Sequence, residues 1–126
     1  MARTLRLFSV LALVLSLSSC MLFKKREQVQ SDEPVTLQVE NRNWNDITIY
    51  AMVNGTRTRL TNVGAARSVT IRVPQTLLPP SQLLDLVLDP LGSRGTFRTG
   101  GILVNSGQRV RLFIENELRL TTWSVQ

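Results

Sequence analysis

From Pro34 onward, the sequence falls into short runs in which apolar and polar residues alternate, separated by turn-forming residues. A period of two puts every second side chain on one face of an extended strand, so one face can be buried while the other is solvated. Val35-Leu37-Val39 alternates with Thr36-Gln38-Glu40, and Ile47-Ile49-Ala51-Val53 alternates with Thr48-Tyr50-Met52. Asn54-Gly55 follows the second run. Both residues tolerate the positive φ of a type I′ turn, so Thr56–Thr61 is expected to return as the partner strand. Val69-Ile71-Val73 alternates with Ser68-Thr70-Arg72 until Pro74, which cannot donate to a ladder.

Gln75–Ser81 reads as a loop or a single helical turn, and Leu84-Leu86-Leu88 as the inner face of another strand. Asp89-Pro90-Leu91-Gly92 carries turn chemistry, and Ser93–Gly101 is glycine-rich and expected to be irregular. Ile102–Val104 reads as a short strand turned by Asn105-Ser106-Gly107. Val110-Leu112-Ile114 then alternates with Arg109-Arg111-Phe113, and a last strand is expected from Leu118-Leu120 toward Val125. Seven or eight short strands with frequent turns and no long helical period point to an all-β fold, a small antiparallel β-sandwich. A small β-barrel is the alternative. At 43% hydrophobic and 19% charged, the composition can supply one modest core.

The first thirty-three residues read differently. Met1–Arg6 holds Arg3 and Arg6 and no acid, and Leu7–Ser19 is an apolar run of 13 residues. A membrane-spanning helix needs about 20. A basic start, a short apolar middle and small residues before a break describe a secretory signal peptide. Leu17-Ser18-Ser19-Cys20 resembles the bacterial lipobox, in which an aliphatic residue and two small residues precede a cysteine. That resemblance covers the first 20 residues. It implies cleavage before Cys20 and acylation of its thiol with palmitate-type chains. The segments 35–50 (VTLQVENRNWNDITIY) and 104–116 (VNSGQRVRLFIEN) also resemble stretches of small uncharacterised bacterial lipoproteins, which implies a class and no activity.

The expected organisation is therefore a signal peptide over residues 1–19, a lipidated cysteine and tether over 20–33, and a β-sandwich domain over 34–126. Each buried CH₂ adds about 0.8 kcal/mol to an anchor, and one acyl chain alone holds only marginally, so the two or three chains of bacterial lipoproteins are needed. Lys24, Lys25 and Arg26 follow closely, either as aids to binding an anionic surface or as solvated linker charges. Met21–Glu33 spans at most about 45 Å, and roughly 20 Å as a coil. Met21 is not Asp, which in the enterobacterial sorting pattern implies the outer membrane. The expected location is the cell membrane or outer membrane, facing the periplasm or exterior.

Little in the chain points to chemistry. It has no histidine, and Cys20, its one cysteine, is assigned to lipid. Nucleophilic catalysis needs a nucleophile and an activating base, and the only lysines, Lys24 and Lys25, lie in the tether. The domain carboxylates Glu40, Asp46, Asp85, Asp89, Glu115 and Glu117 do not fall in a calcium-loop spacing. Counting alone leaves a two-carboxylate hydrolase open. Gly100-Gly101 reads as an ordinary turn pair. No enzyme activity, no cofactor and no metal site are expected.

Arginine placement is the remaining clue. The chain carries a formal charge of +6. Arg57, Arg59, Arg109, Arg111 and Arg119 occupy outward positions of expected strands, and if those strands share a sheet they form one basic face. Guanidinium groups pair well with phosphate and carboxylate, while the plainer role is a solvated face that discourages edge pairing. Trp44 lies in the polar turn Asn41–Asn45, either as a contact residue or, the favoured reading, folded back over the core. Trp123 reads as core or edge packing, and Leu77-Leu78-Pro79-Pro80 as an exposed apolar patch or a cover for the sandwich end.

The expected function is that of a membrane-anchored, non-catalytic binding or structural module. It would act as an accessory subunit contacting other envelope proteins. The alternative is anionic glycan or lipid binding through the arginine face, and no nucleic-acid partner is expected.

Overall fold

The computed structural model describes residues 33–126. The expected signal peptide, Cys20 and the expected tether as far as residue 32 lie outside the described residues. Eight strands form: β1 Val35–Asn41, β2 Ile47–Val53, β3 Thr56–Val63, β4 Ser68–Val73, β5 Leu83–Pro90, β6 Phe97–Leu103, β7 Arg109–Ile114 and β8 Thr122–Val125. They make two four-stranded sheets, ordered β4-β1-β7-β8 and β3-β2-β5-β6. The fold is a small β-sandwich and not a closed barrel.

The alternation in the sequence sets the layers. Val35, Leu37 and Val39 from the first sheet meet Ile47, Ile49, Ala51, Leu84, Leu86 and Leu88 from the second. Val110, Leu112 and Ile114 extend the same core from β7. Each fully buried aliphatic side chain contributes about 1.5–3 kcal/mol relative to exposure, and without a disulfide in this chain burial is the main source of stability. Val69 and Ile71 are only half-buried because β4 is an edge strand. The Asn54-Gly55 hairpin forms as expected, with φ values of 50° and 80°.

Three expectations are corrected. Ser93–Gly101 is not irregular throughout, because β6 begins at Phe97. The glycine pair lies inside that strand, where the ladder with β5 shifts register between Asp85 and Val87. Gly100 takes φ +73°, and a Cβ at Gly101 would lie 3.3 Å from the Leu83 side chain. Those glycines thus serve a bulge and a close packing contact, not a turn. Asp89-Pro90 is the end of β5 and not the turn itself, since Pro90 pairs with Ile47 and the chain reverses after Leu91. The last strand does not start at Leu118: Leu118–Leu120 is a 3₁₀ turn, and β8 follows from Thr122.

Strand direction gives the sandwich two distinct ends. β1 and β7 run parallel, with Thr36 opposite Arg109, while β4 runs antiparallel to β1, with Thr36 opposite Arg72. The starts of β1 and β7 and the end of β4 therefore lie together, at the end where the chain enters the domain through Glu33 and Pro34. The β2–β3 hairpin, the Pro74–Gln82 connection and the Asn105–Gly107 turn share this entry end. At the far end are the β1–β2, β3–β4, β5–β6 and β7–β8 connections. The Leu77-Leu78-Pro79-Pro80 segment covers the entry end, with Leu77 and Leu78 packed on the core. It borders a shallow pocket of about 180 Å³ shared with Gln75, Gln82, Val104 and Ser106.

Candidate functional site

The far end is built around two buried asparagines. The inward alternation of β1 passes from Val35, Leu37 and Val39 to Asn41, which is also buried. A buried amide without partners is costly, and Asn41 is fully engaged. Its Nδ2 donates to the carbonyls of Asn45 at 2.9 Å, Val63 at 3.1 Å and Gly64 at 3.0 Å. Its Oδ1 accepts from the Asn43 amide at 2.9 Å.

Asn43 repeats the device toward the other side. Its Nδ2 donates to the carbonyls of Glu115 and Asn116 at 2.9 and 3.1 Å, and its Oδ1 accepts from the Asn45 amide at 2.9 Å. Two more contacts tie in neighbouring loops. The Leu91 amide donates to the Asp46 carbonyl, and Asp46 Oδ1 accepts from the Ala65 amide. The β1–β2 turn is thereby fastened to all three other far-end connections.

Trp44 stands between these clamps, 81% exposed. The turn uses its polar side chains inward and presents its largest apolar side chain outward, so Trp44 does not fold back over the core. Leu91, at 69% exposure, and Leu120, at 59%, project from two of the adjoining connections. Exposed apolar side chains held on a rigid frame are the pattern of a contact surface, because little conformational entropy is lost on docking. Arg119, expected on a strand, lies in the 3₁₀ turn beside this surface and is ion-paired with Glu117. Trp123 faces inward on the edge strand β8, opposite Leu112, and is partly covered.

The arginines do not form a single face. Arg57 and Arg59 lie on β3, in the second sheet, and Arg109 and Arg111 on β7, in the first. The sheet assignment that would unite them is absent, because the chain changes sheets three times between them, after β3, after β4 and after β6. What the structure joins instead is Arg72 with Arg109 and Arg111. Thr36 pairs with Arg72 on one side and Arg109 on the other, so the two arginines flank one threonine about 10 Å apart on the outer face of the first sheet. Arg111 is the next outward residue along β7, opposite Gln38. None of the three makes an ion pair among the described residues.

Phe113 separates this group from the far end. The guanidinium of Arg111 lies 5.2 Å from its ring centroid and that of Arg42 lies 5.0 Å away, so one ring carries two cations. Arg42 also bonds Glu40 at 2.7 Å and Glu115 at 2.9 Å, and these bonds hold its pKa above the ordinary guanidinium value. On the second sheet, Arg98 grips Asp85 with Nε at 2.9 and 3.1 Å from its two oxygens, which likewise raises its pKa. Among the described residues, no three His, Cys, Asp or Glu side chains gather as metal ligands do.

Sequence reasoning marked Trp44, Arg109 and Arg111, and missed Asn41, Asn43 and Arg72 as members of these surfaces. The signal for Asn41 was present: an asparagine falls where the alternation calls for a fourth apolar residue. For Arg72 no local signal exists, since its neighbour Arg109 is brought to it by β1.

No protein-family model matches the chain, and no curated protein sequence matches it. An NMR structure of a protein from Eubacterium rectale aligns with 75% of this chain and 87% of its own, at 14% identity and a TM-score of 0.41.

Proposed function

We propose that this chain is a lipid-anchored protein of the bacterial cell envelope. Its β-sandwich is a non-catalytic docking module, an accessory subunit that contacts another envelope protein through the loops around Trp44. The observation that carries the reading is the exposed Trp44 on a turn held by two buried asparagines. Buried hydrogen bonds are spent on fixing a turn whose outward product is an indole in solvent. Aromatic side chains held in this way are the usual anchors of protein interfaces. The anchor rests on the lipobox-like Leu17-Ser18-Ser19-Cys20, and Trp44 lies at the end of the domain opposite the point where a tether from Cys20 would enter.

The test has two parts. Cys20→Ser protein should leave the membrane fraction under high salt; if it stays, the anchor reading fails. A photo-reactive residue at position 44 should give a discrete adduct with one or two envelope proteins in living cells, while the same residue at Thr70, on the outer sheet face, should not. Equal adducts at both positions would overturn the docking role of the Trp44 end. A second reading, binding of an anionic glycan or lipid, is favoured by the grouping of Arg72, Arg109 and Arg111. It requires binding that falls steeply with salt.

A further inference from the structure

We infer that the entry end of the domain is a docking surface for anionic phospholipid headgroups, with Arg72 and Arg109 as its phosphate-binding side chains. The inference rests on the anchored reading above and adds an orientation to it. Two independent features place the surface. First, the chain leading from Cys20 joins the domain at Glu33 and Pro34, one step before β1, so an anchor at Cys20 draws this end toward the bilayer. Thr36, near the start of β1, is the residue that Arg72 and Arg109 flank. Second, the charge at this end suits a negative surface. Arg72 and Arg109 are exposed and free of ion pairs among the described residues, and Arg57, beside the hairpin on the other sheet, adds a third cation.

The carboxylates at this end offset these charges only in part. Glu33, exposed beside Gly107, offsets one of the three, and Asp85 is already held by Arg98. Glu40, Glu115, Glu117, Asp46 and Asp89 lie toward the far end, where Arg42 and Arg119 are already paired. Apolar exposure at the entry end agrees with an interfacial setting. Leu83 and Leu103 pair side by side on the outer face of the second sheet, 41% and 62% exposed. Seated this way, the domain holds its strands upright and turns Trp44 away from the bilayer. Docked in this way, the partner-facing end stands about one sandwich length above the bilayer.

The experiment uses the full lipidated chain in vesicles of phosphatidylcholine alone or with about one-third phosphatidylglycerol. A fluorophore is placed on Asn105→Cys at the entry end or on Ser93→Cys at the far end, and quenching by a headgroup-labelled lipid is read. The Asn105 label should be quenched more strongly with phosphatidylglycerol than without it, and the Ser93 label should not. The gain should vanish at 0.5 M salt. An arginine near an anionic surface contributes on the order of fivefold in binding, so Arg72→Gln with Arg109→Gln should shift the docked equilibrium by about 30-fold. Arg67→Gln with Arg94→Gln removes the same charge from the far end and should leave the gain intact. Equal quenching of both labels, or equal loss in both double variants, overturns the inference while the anchor stands. A chain that fails to float with vesicles at high salt overturns the anchored reading, and the inference with it.

Discussion

The two ends of this sandwich are closed by different means. At the entry end the connections between strands are short or held by backbone hydrogen bonds, among them the Gly107 amide to the Glu33 carbonyl and the Val104 amide to the Gln82 carbonyl. Asn54-Gly55 is a two-residue hairpin turn, and Asn105–Gly107 closes on itself through Gln108 Oε1 and the Asn105 amide. At the far end the connections are fixed by side chains that reach across the fold: Asn41 to Val63 and Gly64, and Asn43 to Glu115 and Asn116. A local turn needs only a compatible backbone. A turn clamped at long range can hold an exposed indole in place. The difference separates an end whose connections rest on backbone bonds from one whose turns are held by buried side chains.

The largest expected effect that sharpens this contrast comes from Asn41→Ala. It strands three buried or half-buried carbonyls and the Asn43 amide, and should cost about 3 kcal/mol in urea unfolding, since each unsatisfied buried group costs about 1–3. A loss below about 1 kcal/mol would mean that water replaces the clamp and that the far end is no better fixed than the entry end. Asn43→Ala releases two carbonyls and should cost about 2 kcal/mol, with the loss of protection of the Asn45 amide in hydrogen exchange as its local signature. At the entry end, Gly107→Ala forces a side chain onto φ +78°, beside Glu33, and should cost about 1 kcal/mol. If it cost more than Asn41→Ala, the ranking of the two ends would be reversed. Trp44→Ala should change stability by no more than about 0.5 kcal/mol, because the indole is exposed, yet abolish the adduct formed with a partner at the far end. A large stability loss from Trp44→Ala would make it a packing residue instead.

Much of the sandwich was legible in the sequence because half-buried strands write their faces into alternate residues. β1, β2, β5 and β7 carry that pattern, and they are the four inner strands of the two sheets. Legibility fell at two of the four edge strands, β6 and β8, while β4 alternates and β3 follows from the Asn54-Gly55 turn. β6 pairs along one side only and contains a glycine pair at a bulge, so its residues neither alternate nor look strand-like. β8 follows a 3₁₀ turn whose leucines mimic strand residues. The site was legible in part. Trp44 drew notice as an aromatic in a polar turn, but its direction depends on what Asn41 and Asn43 do with their amides, and those bonds reach residues as much as 73 positions away.

What the sequence determined by itself was the layer structure: which residues face inward, where the Asn54-Gly55 hairpin turns, and that an all-β core closes without a disulfide. Those properties depend on neighbours two residues apart and on the backbone freedom of single residues. What only the tertiary structure decided was which outward residues meet. Arg57 and Arg109 were each predicted outward and lie on different sheets, while Arg72 and Arg109, 37 positions apart, flank the same threonine. The reason is that β-strand pairing is set by how hydrophobic faces stack and how the chain crosses between sheets. The period of two fixes the face a side chain takes and carries no information about the neighbour it will find there.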